Sequence, residues 1–392
     1  MNYIKDQKNL DGKIILLRLD LNVPLKNGII SDDTRIVKIL PTLEFLIKNN
    51  SKIIIISHIG RPKGKWNEIF SMKPVCEYIN KKINSQVKLI KKNIFELKKE
   101  ELFSNSKDQI VFLENIRFYK NEEENDMNFS KHLASLGDLF INDAFSCSHR
   151  AHASLCEITK YIPSYAGIQF EAEVNALEKV TKNIKKPITC IIGGSKISTK
   201  ISIIKNLIPI FDNIIIVGGM ANNLLKYKGH SIGKSIQETN CETNIDDIFE
   251  TSKNYPCSII LPEDVAVGKT MDDRAKIKEL NQIENDDIIL DIGPKTINKV
   301  KSIINKSKTI LWNGPAGYFE NPQFSKGSIA IGNQIANQNK LGQIFSVAGG
   351  GDTFALINII DIFDNFNFVS TAGGAFLEYL EGKELPGIKA LK

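Results

Sequence analysis

The chain has 392 residues, 42% of them hydrophobic and 24% charged, which fits a soluble globular protein of two domains, each with its own core. A net charge of +6 carried by scattered lysines, with no basic run interleaved with aromatics, argues against nucleic acid as a partner. No apolar stretch approaches bilayer-spanning length, Met1–Asp6 lacks a signal-peptide core, and the six cysteines form no C-x-x-C pair, so a cytoplasmic protein with free thiols and no membrane partner is expected.

In chain order, strand-like apolar runs alternate with helical segments, the pattern of mainly parallel sheets with helices on both faces. Expected strands in the first half are Ile14–Leu19, Ile53–Ser57, Val87–Ile90, Ile110–Leu113 and Leu139–Asn142. Between the first two, Ser31-Asp32-Asp33 can cap a helix whose buried stripe is Ile36, Ile39, Leu40, Leu43 and Ile47. Pro41 is expected to kink that helix or to set its local start. The acidic run Glu122-Glu123-Glu124-Asn125-Asp126 reads as an exposed loop. The helical spacing of Val174, Leu177 and Val180 places a helix over Glu171–Asn183. It either joins two lobes or is one more crossover within a single sheet. The first reading divides the chain into 1–170, a connecting helix 171–184 and a second lobe 185–374.

Six apolar runs of the second half end in glycine turns. Thr189–Ile192 leads into Gly193-Gly194, Ile214–Val217 into Gly218-Gly219, and Ile289–Ile292 into Gly293-Pro294. Ile310–Trp312 leads into Asn313-Gly314-Pro315, Phe345–Ala348 into Gly349-Gly350-Gly351, and Phe368–Thr371 into Ala372-Gly373-Gly374. Glycine tips let backbone N–H groups approach a nucleotide's phosphates. In the first half the runs end instead in Arg18-Leu19-Asp20-Leu21-Asn22, Ser57-His58-Ile59-Gly60-Arg61-Pro62, Glu114-Asn115-Ile116-Arg117 and Asn142-Asp143-Ala144, the last followed by His149-Arg150-Ala151-His152.

A single arginine at a strand tip is usually a surface residue or an ion-pair partner. Several on one sheet edge repel one another unless an anion lies between them, and guanidinium forks suit phosphate and carboxylate. Asp20 and Asn22 offer acceptors for a hydroxyl on the same small molecule, or orient neighbouring arginines. A zinc reading of Cys147, His149, His152 and Cys156 fails on spacing and on the cation of Arg150. In the second half, Lys196 and Lys200 are expected one turn apart on a helix after Gly193-Gly194-Ser195, either solvated or touching phosphate. Asp352, after three glycines, is a helix cap or a holder of Mg²⁺ bridging nucleotide phosphates, with the Thr353 hydroxyl beside it. Gly229–Ser235 is one residue short of a P-loop, and Gly349-x-Gly351 has Phe354 where a dinucleotide fingerprint needs glycine. That argues against a dehydrogenase. A sugar-phosphate binder would not need the Lys200 and Asp352 loops.

Taken together, Arg18–Pro24, Ser57–Pro62, Trp312–Pro315, Gly350–Thr353 and the closing Leu380–Gly387 resemble, in order and spacing, the phosphoglycerate kinases. The resemblance implies two Rossmann-like lobes joined by a helix and hinge, with the tail 375–392 returning to the first lobe, in a monomer. It implies Mg²⁺-dependent transfer from 1,3-bisphosphoglycerate to ADP, giving 3-phosphoglycerate and ATP in glycolysis and the reverse in gluconeogenesis. Other small-acid phosphotransferases and binding proteins of similar fold are the alternative. By resemblance the acid contacts are Arg18, Asp20, Leu21, Asn22, Arg35, His58, Ile59, Gly60, Arg61, Arg117, Arg150 and His152. The nucleotide contacts are Gly194, Lys196, Lys200, Gly218, Gly219, Asn313, Glu320 (towards the ribose), Gly350, Gly351, Asp352 and Thr353, with Asp352 near the metal. Arg35, Lys200, Gly373 and Gly374 are the expected catalytic positions, acting across a cleft that closes once both ligands are bound. Three departures stand out: Ser195 where alanine is frequent, Ser146-Cys147 for a commoner glycine-containing pair, and Ala372 for glycine.

Overall fold

The computed structural model describes residues 1–83, 85–103 and 109–392. The chain divides into two compact units, one of residues 1–174 with 384–392 and the other of residues 175–383. Among the described residues no helix is long and apolar enough to cross a membrane.

The first unit is built on six parallel strands in the spatial order Val87–Ile90, Ile110–Leu113, Lys52–Ile56, Ile14–Leu19, Leu139–Asp143 and Ser164–Ala166. Side chains alternate across it. Ile15, Leu17, Ile53, Ile55 and Phe112 meet Ile36, Ile39 and Leu43 on one face, while Leu16, Ile54, Ile56, Val111 and Leu113 meet Phe129 and Leu133 on the other. A sheet buried on both faces explains why its strands read as unbroken apolar runs. Each fully buried isoleucine or leucine contributes about 1.5–3 kcal/mol relative to exposure.

The helix Thr34–Lys48 runs through Pro41, which therefore does not set its start. Its first turn is held by Asp32, whose Oδ1 accepts from the Thr34 amide at 2.9 Å. The expected strands are found with shifts of one residue at Lys52–Ile56 and Leu139–Asp143. Ser164–Ala166, short and flanked by Pro163 and Gly167, carried no periodic signal and was not expected.

The second unit repeats the principle with six parallel strands ordered Ser258–Ile260, Asn213–Ile216, Ile188–Ile192, Thr309–Asn313, Phe345–Ala348 and Phe368–Val369. In chain order this is 3-2-1-4-5-6, the arrangement of doubly wound nucleotide-binding sheets. The helix Ile168–Thr181 thus lies between strands of two different sheets, which removes the single-sheet alternative.

Two local expectations are corrected. The run ending in Gly293 belongs to a separate antiparallel sheet of Asp264–Gly268, Lys276–Glu279 and Ile288–Ile292. Its turn is not an anion cradle, because the Asp264 carboxylate accepts from the Lys295 and Thr296 amides at 2.9 and 2.7 Å and already fills that helix terminus. The helix after Gly194 begins at Ile201, so Lys196 lies in an exposed turn and Lys200 at the helix cap. Ser198 and Thr199 hold that turn, through Glu238 (2.8 and 2.6 Å) and the Lys196 carbonyl (2.9 Å), in competition with helix.

Asp143, at the end of its strand, accepts from the Thr42 hydroxyl at 2.6 Å and from the Phe170 amide at 2.7 Å, so it caps the helix Ile168–Thr181. Burial pushes its carboxyl from 3.8 up to about 6, against those hydrogen bonds. A proton held more tightly in the folded than in the unfolded state stabilises the fold below pH 3.8, and that contribution is lost as pH rises through about 6. Denaturant unfolding across this window should show a shallower decline in stability for Asp143→Asn than for the parent. An unchanged slope would mean that Asp143 does not titrate there.

Candidate active site

In the first unit the chain turns in opposite directions from Ile14–Leu19 and Leu139–Asp143, which are neighbours in the sheet. The crevice beyond their carboxyl ends is where open parallel sheets bind ligands. Asp20 and Asn22 follow the first strand there, and Ser146 follows the second. Arg35 stands on the first turn of Thr34–Lys48 and donates to Asp20 Oδ2 at 2.6 Å and to the Asn22 carbonyl at 3.2 Å. The Ser146 hydroxyl donates to the same Asp20 oxygen. Burial raises the Asp20 carboxyl, but the Arg35 charge, with the Ser146 hydroxyl and the Asn22 amide, outweighs it and holds the group at about 2. Asn22 Oδ1 accepts from the Gly60 amide at 2.9 Å, and Arg117 donates to the Gly60 carbonyl at 3.0 Å, which ties the Ser57–Pro62 turn to both neighbouring tips.

The cations here are crowded. Burial, with the charges of Arg18, Arg117 and Arg35, pushes His58 well below its usual range. Burial and then Arg117, Arg18 and Arg150 bring His152 down to about 3. Both imidazoles are neutral at pH 7, with the side chains of Arg35, Arg117 and Arg150 around them. Arg117 is 5% exposed, its Nε makes no hydrogen bond among the described residues, and its ion partner Glu123 is 3.8 Å away. Arg61 is exposed, with no ion pair or hydrogen bond among the described residues.

Arg18 differs from the others. It is fully buried, donates to Ser154 Oγ at 2.8 Å and to the Leu19 carbonyl, lies 3.4 Å from His58 Nδ1, and is paired with Glu122 at 3.9 Å. Glu122 is itself fully buried and accepts from the amide and hydroxyl of Ser154 at 2.8 and 2.7 Å. The expected exposed acidic loop is therefore, at its first residue, the counter-ion of a buried arginine. Nothing in the charge pattern distinguishes Glu122 from Glu123 and Glu124. The side chains of Leu21 and Ile59 are buried in the core, leaving only their backbone to face the crevice.

In the second unit the corresponding switch lies between Ile188–Ile192 and Thr309–Asn313. Their tips touch: a Cβ on Gly193 would sit 2.2 Å from the Pro315 carbonyl, and one on Gly314 2.3 Å from that of Gly193. These two glycines serve backbone packing. Around them lies a polar hollow of about 290 Å³ bounded by Gly194, Lys196, Lys200, Asn313, Gly350, Gly351, Asp352 and Thr353. Lys200 donates to Asn313 Oδ1, Asn313 Nδ2 donates to the Gly349 carbonyl at 2.6 Å, and Thr353 Oγ1 accepts from the Gly314 amide at 2.7 Å. Burial lowers the Lys200 ammonium, with Asp352 acting in the opposite sense. Asp352 is not a cap, since Gly350 holds that position at φ +100°, and its carboxylate accepts no hydrogen bond from the described residues.

A second cleft of about 420 Å³ shares Gly194, Ser195 and Asp352 with the hollow and continues past Gly218, Gly219, Leu225, Ile236 and Met271 to Glu320 at an exposed rim. One trough thus has a mainly apolar end and a polar end with two lysines and a free carboxylate. Ser195 lines it but caps no helix. At Ala372 the substitution is accommodated: the positive φ falls on Gly373 (+53°), and the Ala372 amide donates to Ser370 Oγ at 3.1 Å. Gly374 opens the helix Gly374–Leu380.

The family model for phosphoglycerate kinase matches residues 4–383. A phosphoglycerate kinase of Wolbachia sp. subsp. Drosophila simulans is 44% identical over 386 residues, covering 98% of this chain and 97% of its own. One from Dictyoglomus turgidum is 43% identical over 388 residues, at 98% and 97% coverage. The solved phosphoglycerate kinase of Coxiella burnetii superposes with a TM-score of 0.91 at 38% identity, covering 99% of this chain and 98% of its own. That of Pyrococcus horikoshii gives 0.82 at 28% identity, with 100% and 98% coverage. With two parallel α/β sheets and this agreement along its length, the chain belongs to the phosphoglycerate kinase family.

Proposed function

We infer that the first unit binds 3-phosphoglycerate or 1,3-bisphosphoglycerate in the crevice of Arg35, His58, Arg61, Arg117, Arg150 and His152, and that the second binds ADP or ATP in the trough. The family carries the reaction, a reversible phosphoryl transfer between the acyl phosphate and ADP. One observation carries the placement of the acid. Around two imidazoles kept neutral, Arg117 has one carboxylate, Glu123 at 3.8 Å, and Arg150 has no ion pair among the described residues. A small dianion supplies negative charge there, and guanidinium forks bind it bidentately. Asp20 and Asn22 then orient the acid's hydroxyl and hold Arg35. Arg18, sealed beneath by Glu122, acts through His58 instead of touching the ligand.

In the trough, the apolar end takes the base, Glu320 the ribose, and Gly194, Lys196, Gly218, Gly219, Gly350, Gly351 and Thr353 the phosphate side. Asp352 fits a metal held through the nucleotide, because its carboxylate is free and faces both ends of the trough. Bound there, Mg²⁺ would neutralise charge on the nucleotide phosphates. Phosphoryl transfer needs position and charge stabilisation more than covalent help. Arg35 and Lys200 neutralise the equatorial oxygens of the moving group, and the amides at Gly373 and Gly374 add donors. The acyl carboxylate is a good leaving group and needs no general acid. Lys200, its ammonium lowered by burial, has exchanged water for Asn313 and is preorganised for this role. The protein works as a cytoplasmic monomer.

A coupled assay with 3-phosphoglycerate, ATP and magnesium should give turnover that chelation abolishes. In it, Arg35→Ala should lower kcat by roughly 10³ or more with smaller changes in KM, as for other transition-state arginines. A near-normal kcat would remove Arg35 from this role. Acid and nucleotide bind to different units, so the transfer-competent arrangement is one that both ligands together stabilise. Small-angle scattering should therefore show compaction with the two ligands present, and full compaction with nucleotide alone would refute this two-ligand requirement.

A further inference from the structure

We propose that Ser146 is a positioning residue of the acid site, acting on the transferred phosphoryl group through Asp20 and Arg35. The proposal rests on the reading above that the acid binds in this crevice and that Arg35 meets the moving group. Ser146 lies in the single 3₁₀ turn Phe145–Cys147 that follows the strand Leu139–Asp143, half-buried at the carboxyl edge of the sheet. Its hydroxyl donates to Asp20 Oδ2, the oxygen that Arg35 also holds at 2.6 Å, while the Asn22 amide donates to Oδ1 at 3.2 Å.

Among the described residues the carboxylate thus has one charged hydrogen-bond donor and two neutral ones. Asp20 is only 8% exposed, and loosening the ion pair of a buried carboxylate is costly. Arg35 serves the moving group only by giving up part of its hold on Asp20. During that exchange the anion depends on donors that do not leave. The Asn22 amide is one, and the Ser146 hydroxyl is the other. Because Ser146 binds the oxygen that Arg35 vacates, it lowers the free energy of that handover. Its effect belongs to the transition state, where Arg35 is turned away, and not to nucleotide binding on the other unit.

Steady-state kinetics of Ser146→Ala, Ser146→Gly and Ser146→Thr test this, with calorimetric titration of 3-phosphoglycerate into the parent protein. Loss of one hydrogen bond to a buried anion should lower kcat about tenfold in the alanine and glycine variants. The KM for ADP should stay within about twofold, and Ser146→Thr, which keeps the hydroxyl, should remain within about threefold of the parent kcat. The proposal is overturned if the alanine and glycine variants keep the parent kcat, or if threonine falls as far as alanine. If the parent binds the acid and the variants behave in that way, the role of Ser146 alone fails. A parent that does not bind 3-phosphoglycerate overturns both this role and the underlying site.

Discussion

Like charges crowd the carboxyl edge of the first sheet, and the local structure is arranged around them. Arg18 would repel Arg117 and Arg150 across the crevice, yet it is sealed beneath the surface against Glu122 and Ser154. Asp20 offsets Arg35. The two histidines shed their protons instead of adding to the positive field. Arg61 and Arg150 keep no ion pair among the described residues, and such excess positive charge favours an anion nearby.

The second unit solves a different problem. Its trough has a mainly apolar stretch and a stretch lined by lysines and a carboxylate, framed by backbone and a few fixed side chains. The contact between Gly193 and Gly314 brings two strand tips within van der Waals reach, and this places Asn313 so that it can hold Lys200 from one side and the Gly349 carbonyl from the other. Lys200 is then aimed by a neutral amide without an ion pair that would have to be broken.

Much of this was legible in the sequence, for identifiable reasons. Strands buried on both faces read as apolar runs, so Ile14–Leu19, Val87–Ile90 and Ile110–Leu113 are found where the pattern puts them. Residues at strand ends declare themselves because arginine, aspartate and glycine are poor strand formers. Features set by tertiary contact were hidden. Glu122 looks like its acidic neighbours until the fold places Arg18 above it. The run ending in Gly293 has the same apolar character as its parallel counterparts, and only pairing with Asp264–Gly268 assigns it to another sheet. The turn at 195–200 resembles the start of a helix because Ile197 and Ile201 keep a helical interval, while Glu238, distant in sequence, holds Ser198 out of one.

The unit that carries the arginines is assembled from two stretches far apart in sequence, 1–174 and 384–392. Residues 384–392 belong to it, and the Gly387 amide donates to the Ser148 carbonyl at 2.8 Å, two positions from Arg150. A Cβ at Gly387 would stand 2.6 Å from the Ser148 hydroxyl, so this turn is fitted against the loop that bears His149, Arg150 and His152. On the ribosome, residues 175–383 are therefore made before the first unit has received residues 384–392. A chain stopped between residues 383 and 384 would lack contacts of the first unit and none within the second.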